Sequence, residues 1–184
     1  GLKADLSNSA HLTALQANQD DPPRLIMMLG NTLGAFDPLT LPSQLAAILR
    51  PQDFLLLDGE LFSPIETLTG YDNPINRQFA FGPLRSVGLS EPRDGTLHFA
   101  TDRDDRQPGL YRIRKHFQAA KDSAIMLAGE TVRLVAGAHI EMNWSYKYDR
   151  ETLVSLLTTA GLQPVAQYDS VDKQFLTLLA TRSP

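Results

Sequence analysis

Continuous apolar runs and a helical pattern alternate in the first third of the chain. Residues 24–29 (RLIMML) form an apolar run that ends at Gly30 and has the length of a strand buried on both faces. Residues 41–50 carry apolar side chains at helical spacing, and Pro51 ends that pattern. Residues 54–61 (FLLLDGEL) begin with a second apolar run and have the length of a strand. Because connections of this kind are almost always right-handed crossovers, the three segments predict two adjacent parallel strands of an open α/β sheet.

Four β-rich runs separated by short turns fill the middle of the chain, at residues 110–119, 124–129, 131–137 and 139–148. Their spacing predicts an antiparallel meander. Polar and apolar residues alternate in the last run, so Asn143, Ser145 and Lys147 are expected on one face of a strand.

The end of the chain returns to a helix and a pair of strands. Asp149 and Gly161 bracket a helical pattern, with Asp149 as the expected cap. Residues 165–169 and 175–181 then predict two strands that are antiparallel to each other.

Composition narrows the classes of partner. The 184 residues are 42% hydrophobic and contain no apolar segment long enough to span a bilayer, which predicts one soluble domain without membrane association. The net charge of −4 offers no electrostatic footprint for nucleic acid, whose phosphates are bound mainly by clustered Lys and Arg. The chain has no cysteine, which excludes disulfides and thiolate metal sites and favours a cytoplasmic location.

Metal chemistry is not indicated by the spacing of potential ligands. The histidines, His11, His98, His116 and His139, are too far apart in the sequence to resemble a metal motif. The acidic segment at residues 102–105 lacks the glycine and the distal glutamate of a calcium loop. We therefore expect no metal site.

Three motifs carry a resemblance to a known family. The turn GNTLGAFDP at residues 30–38, the strand LLLDGEL at 55–61 and the segment NWSYKY at 143–148 resemble the histidine-specific methyltransferase family. Its members depend on S-adenosylmethionine, and the best-known one trimethylates the α-amino nitrogen of histidine. The resemblance runs through the whole chain. It implies a class I methyltransferase-like, Rossmann-like α/β sheet with its N-terminal strands missing and with an inserted antiparallel β-rich subdomain that binds substrate.

The resemblance and the change of pattern together divide the chain into two parts. The α/β core comprises residues 1–70 and 149–184, and the inserted substrate-binding subdomain comprises residues 71–148. In such enzymes a glycine-rich turn and an acidic residue that hold the cofactor come from the first two strands, which would precede this chain. We therefore expect the fragment alone to bind S-adenosylmethionine weakly and to be inactive.

The resemblance also implies which residues bind the cofactor. Asp5 and Leu6 correspond to the end of the family's third strand, where an acidic and an apolar residue contact adenine. Gly30, Asn31 and Thr32 form the turn at which open α/β sheets bind ligands. From the residues alone, Asp5 has a second interpretation, because an aspartate here can also begin a turn or cap the helix that starts near residue 8.

The residues implied in substrate binding depart from the family at two positions. Asn143 and Ser145 correspond to the acidic residue and the serine that contact the substrate side chain, and Ala35 replaces an asparagine that holds the substrate backbone. An amide has no charge to pair with an imidazole ring, so histidine recognition is disfavoured. Tyr71 corresponds to the catalytic tyrosine that binds the substrate carboxylate and orients the amine.

These residues predict an S-adenosylmethionine-dependent N-methyltransferase whose substrate is a small amine or amino acid, with histidine disfavoured. Two alternatives stay open. Tyr71 can instead be a half-buried tyrosine that packs under a loop. The whole chain can also be a non-catalytic binding or scaffold module that retains the methyltransferase fold.

The predicted strand at residues 24–29 raises the question of what covers its outer edge. In the methyltransferase strand order its neighbour is the first strand, which this chain does not contain. Its N–H and C=O groups would then be unpaired beside an apolar surface, and such edges attract partners. We expect the chain to form a homodimer through this edge or to cover it with its own N-terminal residues.

Overall fold

The computed structural model describes residues 3, 5–16, 18 and 20–183. It contains five α-helices among those residues: α1 Ser9–Thr13, α2 Leu41–Ile48, α3 Glu66–Tyr71, α4 Pro74–Ser86 and α5 Arg150–Thr159. Its strands are β1 Leu25–Met28, β2 Phe54–Glu60, β3 Gly95–Arg103, β4 Leu110–Ala119, β5 Ser123–Leu127, β6 Glu130–Leu134, β7 His139–Tyr148, β8 Leu162–Asp169 and β9 Phe175–Arg182.

The chain folds into two compact units. The first unit comprises Gly1–Phe62, Arg103–Tyr111 and Tyr146–Pro184. The second unit comprises Ser63–Asp102 and Arg112–Ser145. Several strands therefore contribute residues to both units, because the chain passes between them more than once.

A mixed four-stranded sheet with the order β1-β2-β9-β8 forms the centre of the first unit. β1 and β2 are adjacent and parallel, with Leu25 opposite Phe54. β9 runs antiparallel to β2, and β8 runs antiparallel to β9. The α/β class, the parallel pair and the antiparallel C-terminal pair are therefore confirmed.

Leucines from the sheet and the flanking helices form the core of the first unit. Leu55 and Leu57 of β2 are fully buried, and so are Leu176 and Leu178 of β9. Helices α2 and α5 add further buried apolar side chains to the same cluster. Since each buried leucine contributes about 1.5–3 kcal/mol relative to an exposed one, this cluster is the main source of stability of the sheet.

The apolar run at β1 is buried on one face only, so the prediction of a fully buried strand is wrong. Leu25 and Met27 are 53% and 56% exposed, and Leu29 beyond the strand is 44% exposed, whereas Met28 is buried. β1 is the last strand in the sheet order. In the described part of the chain no strand pairs with its outer edge, which leaves this apolar row facing solvent.

The second unit contains a three-stranded sheet with the order β3-β4-β7 and a separate two-stranded hairpin, β5-β6. The predicted meander is therefore wrong in its pairing. Ala128 and Gly129 adopt positive φ angles of 51° and 85°, which form the tight turn that closes β5 onto β6. The N–H of Ala119 donates to the carbonyl of Ala138, so the end of β4 joins the start of β7 directly.

Helix α4 packs its apolar side against this three-stranded sheet. Phe81 of the helix and Phe117 of β4 have ring centroids 5.9 Å apart within a second hydrophobic cluster. Gly95 begins β3 beneath the Phe117 ring, and a Cβ at this position would collide with that ring and with the carbonyl of Gln118. Only glycine therefore fits where β3 enters the sheet.

Helix α5 spans Arg150–Thr159, between Asp149 and Gly161 as predicted. Asp149 occupies the cap position, but its side chain makes no capping hydrogen bond. Its carboxylate instead accepts a 3.4 Å hydrogen bond from the hydroxyl of Tyr111. The prediction of the boundary is confirmed, while the prediction of an aspartate side-chain cap is wrong.

Candidate active site

The turn after β1 is held in shape by a carboxylate from β2. Gly30 and Asn31 have positive φ angles of 75° and 53°. Their N–H groups both donate to Asp58, at 2.9 Å and 2.6 Å. The hydroxyl of Thr32 donates to the carbonyl of Leu29 at 2.7 Å. Two N–H groups and one hydroxyl of this predicted cofactor turn therefore have partners within the chain.

The side chain of Asn31 joins the ends of two strands. Its oxygen accepts from the N–H of Glu60 at 3.1 Å, and its nitrogen donates to the carbonyl of Tyr146 at 3.2 Å. A Cβ on Gly34 would lie 2.7 Å from the same carbonyl, so glycine is required there as well. The GNTLG motif thus has a packing role that sequence reasoning missed, because the partners are distant in the sequence.

A small cavity lies between the N-terminal segment and the residues that follow the turn. It has a volume of about 230 Å³ and is lined by Leu6, Ser7, Phe36, Asp37, Thr40, Leu41 and Gln44. Leu6, one of the predicted cofactor residues, is therefore brought close to the segment that follows β1. Pockets for drug-sized ligands measure about 300–1,000 Å³, so this cavity is smaller than such a pocket.

Asp5 lies in a turn and not at the end of a strand. The expected strand tail spans residues 1–6, of which residues 1, 2 and 4 lie outside the described residues, and no strand is present at the others. The carboxylate of Asp5 accepts from the N–H and the hydroxyl of Ser7, at 2.8 Å and 2.7 Å. These hydrogen bonds lower the pKa of Asp5. The cap of α1 is Asn8, whose side chain accepts from the N–H of Ala10.

An arginine that sequence reasoning missed connects the wall of this cavity to a distant loop. Arg106 lies 3.3 Å from Asp37, 2.8 Å from Asp104 and 3.0 Å from the hydroxyl of Tyr146. The hydrogen bond to Asp104 raises the pKa of Arg106, although burial opposes this shift. Arg106 lies 69 residues from Asp37, and no local pattern marks it.

The same arginine helps to set the charge of Asp37. Burial acts to raise the pKa of Asp37. Hydrogen bonds from the N–H of Leu39, the hydroxyl of Thr40 and the guanidinium of Arg106 outweigh burial and lower that pKa. The cavity wall therefore carries an ionised carboxylate at neutral pH.

The end of the NWSYKY segment is part of the buried core of the first unit. Tyr146, Lys147 and Tyr148 are all buried, and Lys147 forms an ion pair with Glu60 at 3.0 Å. The hydroxyl of Tyr148 has no hydrogen-bond partner in the described chain, and burial raises its pKa. These three residues therefore belong to the core of the first unit, and polar partners are present at Tyr146 and Lys147.

The predicted substrate residues are divided between the two units. Ala35 is exposed at the end of the turn in the first unit, where the predicted cofactor residues also lie. Tyr71, Asn143 and Ser145 belong to the second unit and are half-buried. The side-chain oxygen of Asn143 is buried and has no hydrogen-bond partner among the residues that the structure describes. It is a vacant acceptor on β7.

Three histidines stack across the sheet of the second unit. The ring of His116 on β4 lies 5.3 Å from that of His98 on β3 and 5.2 Å from that of His139 on β7, with the planes nearly parallel. Burial and the two neighbouring rings lower the pKa of His116. Within the described residues no group of His, Cys, Asp or Glu is arranged to hold a metal ion.

A family model described as "Histidine-specific methyltransferase, SAM-dependent" matches residues 1–182. The chain belongs to this family. The family uses S-adenosylmethionine as its methyl donor, as expected from the three motifs. No curated protein matches the chain significantly. The described helices include none with the length and apolar character that a membrane crossing needs.

Several solved structures of methyltransferases are similar to this chain at low identity. One is an S-adenosylmethionine-dependent methyltransferase from Clostridium acetobutylicum, with 12% identity over 98% of this chain and 63% of that one, and a TM-score of 0.44. Another is the glycopeptide N-methyltransferase MtfA complexed with S-adenosyl-L-homocysteine, with 11% identity, 98% and 60% coverage and a TM-score of 0.41. A third is CcbJ from Streptomyces caelestis, with 11% identity, 86% and 60% coverage and a TM-score of 0.38. The chain thus spans about 60% of their length.

Proposed function

We propose that the intact protein containing this chain transfers a methyl group from S-adenosylmethionine to the nitrogen of a small amine or amino acid other than histidine. The match of the family model to residues 1–182 carries the methyl-transfer part of this proposal. The substrate part depends on Asn143, which stands where the resemblance places an acidic residue. An uncharged amide favours a substrate group that donates a hydrogen bond without carrying a positive charge.

The cofactor would be held by residues of the first unit. Leu6 and Phe36 line the cavity from opposite segments and provide apolar contacts for one part of the molecule. The turn at Gly30–Thr32 would approach it mainly through backbone carbonyls and shape, because its N–H groups donate to Asp58. When bound, S-adenosylmethionine supplies a methyl group that is already activated by its positively charged sulfur.

The residues of the chain have to orient the amine, which first loses its proton to solvent. Methyl transfer requires the nitrogen lone pair to lie in line with the methyl group and water to be excluded. An α-amine has a pKa of about 8, so it must lose a proton before it reacts. Tyr71 would orient the amine and accept a hydrogen bond from it, while Asn143 and Ser145 would contact the substrate side chain.

The test compares S-adenosylmethionine binding and methylation in the intact protein. Calorimetric titration is expected to give stoichiometric binding to the intact protein and weak or no binding to the 184-residue chain. A panel of amines and amino acids, including histidine, then identifies the nitrogen that is methylated. Efficient trimethylation of histidine would contradict the proposed substrate class.

A pair of substitutions at one position sharpens this test. Asn143→Glu supplies a carboxylate and is expected to raise kcat/KM for histidine about tenfold, the effect of one additional interaction of about 1.4 kcal/mol. Asn143→Gln has the same length without the charge and is the matched control. Equal activity of the two variants on histidine would show that the residue at position 143 does not discriminate substrates by their charge.

A non-catalytic binding or scaffold module is the second candidate function. The observation that favours it is the use of the Gly30 and Asn31 N–H groups by Asp58, which removes two donors from the predicted cofactor turn. The methylation assay on the panel distinguishes the candidates, because a module without catalysis would transfer no methyl group to any of the amines or amino acids.

We further propose that the chain forms a homodimer through the outer edge of β1. The exposed row of Leu25, Met27 and Leu29 along an unpaired strand edge supports this association. The cytoplasmic location expected from the absence of cysteine stays a prediction.

A further inference from the structure

Two lysines of this chain are buried, and their surroundings differ. Lys147 is 0% exposed and has a carboxylate partner, Glu60, at 3.0 Å. Lys115 is 6% exposed and lies on the inward face of β4 in the second unit. In the described part of the chain no carboxylate lies within ion-pair distance of Lys115.

Aromatic rings are the neighbours of the Lys115 ammonium. Its nitrogen lies 5.3 Å from the centroid of the Tyr71 ring and 5.9 Å from that of Phe99. Such cation–π contacts return less free energy than the removal of an ammonium from water costs. Burial accordingly lowers the pKa of Lys115. An anion placed beside this lysine would favour its charged form.

The neighbouring charges do not compensate Lys115. Arg77 lies on the same Phe99 ring, with its guanidinium carbon 5.3 Å from the centroid. That arginine already pairs with Asp72 at 2.6 Å and lies 3.8 Å from Glu91. Phe99 therefore contacts two cations, of which only Arg77 has carboxylate partners among the described residues.

We propose that Lys115 binds the carboxylate of the substrate and thereby makes amino acids preferred over the corresponding amines without a carboxylate. This inference rests on the proposed function, because it takes Tyr71 as a substrate contact. The ring of Tyr71 positions the lysine, and the lysine supplies the full positive charge that a tyrosine hydroxyl lacks. Lys115 is then a specificity-determining residue that the sequence motifs do not include.

The direct test is an NMR titration of the folded chain with ¹³C-labelled lysine side chains. The probes are L-tryptophan with tryptamine and L-histidine with histamine, two pairs in which only one member carries a carboxylate. We expect an amino acid, and not its amine, to shift the Lys115 resonance and to raise the pKa of that lysine. Lys115→Arg identifies the resonance by its disappearance.

Variants then separate binding from packing. Lys115→Met is expected to weaken binding of the responding amino acid at least tenfold and to change binding of its amine by less than twofold. Lys115→Arg is expected to retain most of the preference for the amino acid over its amine. Lys121→Met removes an exposed lysine that pairs with Asp94 and is expected to change neither value. A merely structural role of Lys115 would weaken both members of the pair equally, which would overturn the inference.

Two further outcomes are decisive. If acetate or inorganic phosphate alone raised the Lys115 pKa as much as an amino acid does, the site would be a general anion site. That result would overturn the substrate assignment. Should Lys115→Met fail to fold, the titration of the wild-type chain decides by itself. Because these readouts need no turnover, failure of methyl transfer in the intact protein would overturn the proposed function while leaving the Lys115 result standing.

Discussion

At the residue scale, a single buried carboxylate holds two arginines together where the strands of the first unit begin. Asp53 is fully buried and lies 2.8 Å from the guanidinium groups of both Arg24 and Arg50. It also accepts from the N–H groups of these two residues, at 3.0 Å each. Hydrogen bonds from Arg50 and Arg24 keep the pKa of Asp53 far below its usual range, although burial opposes them.

We predict that Asp53→Asn destabilises the first unit by about 3 kcal/mol. This is the lower end of the cost of breaking a buried ion pair, chosen because Arg24 is partly solvated. Urea unfolding followed by circular dichroism measures the change. Asp105→Asn, at an exposed position, is the control and is expected to have little effect.

The difference in the free energy of unfolding between the wild type and Asp53→Asn depends on pH, because the pKa of Asp53 is lowered in the folded state. A carboxylate with a folded-state pKa below its unfolded value of about 3.9 contributes stability above that pH, and the contribution is lost as the pH falls further. The gap between the wild type and Asp53→Asn is therefore expected to be constant from pH 5 to 7 and to shrink below about pH 4. A gap that widened in acid would contradict the assignment.

At the scale of elements, three stacked histidines lie across the sheet β3-β4-β7. His116 is the central ring, and the groups that face it are His98, His139, Glu141 and Arg114. Burial first, and then the neighbouring histidines, lower the pKa of His116, while Glu141 opposes the shift. The folded sheet thus favours the neutral imidazole.

We predict that the second unit loses stability as the pH falls from 7 to 5. The unfolded chain binds a proton at His116 near its ordinary pKa of about 6.5, whereas the folded sheet resists protonation until a lower pH. Urea unfolding followed by the fluorescence of Trp144, the single tryptophan and a residue of this unit, reports the change.

The substitution His116→Gln is expected to reduce this dependence on pH. His11→Gln, in the first unit, serves as the matched control and is expected to leave the fluorescence transition unchanged. An equal loss of stability between pH 7 and 5 in the wild type and in His116→Gln would exclude the stacked histidines as the cause.

At the scale of the whole molecule, the proposed homodimer through the outer edge of β1 can be tested directly. We predict a particle of twice the chain mass of 20.3 kDa in light scattering, with slow hydrogen exchange at Leu25–Met28. Met27→Lys is expected to shift the population to monomer, because it places a charge in the middle of the apolar edge. Val171→Lys changes a fully exposed residue and is the control. A monomer whose β1 amides exchange rapidly would contradict the proposal.

The sequence by itself determined the helices and strands that a pattern within a short stretch of residues predicts. The parallel pair β1 and β2, the intervening helix α2 and the antiparallel strands β8 and β9 follow from apolar runs and breaking residues within short windows. The turn GNTLGAFDP, the strand LLLDGEL and the segment NWSYKY also indicated the methyltransferase family. A local pattern reports the side chains that a helix or strand buries, and these elements depend on little else.

Only the tertiary structure decided which distant elements meet. The end of β4 joins the start of β7 and leaves β5 and β6 as a separate hairpin, because strand periodicity carries no information about the choice of neighbour. Asn31 fills its hydrogen bonds with Glu60 and Tyr146, and Arg106 reaches Asp37 across 69 residues. Lys115 becomes notable only once the rings of Tyr71 and Phe99 surround it. Burial and partners are properties of three-dimensional contact, and no window of sequence contains them.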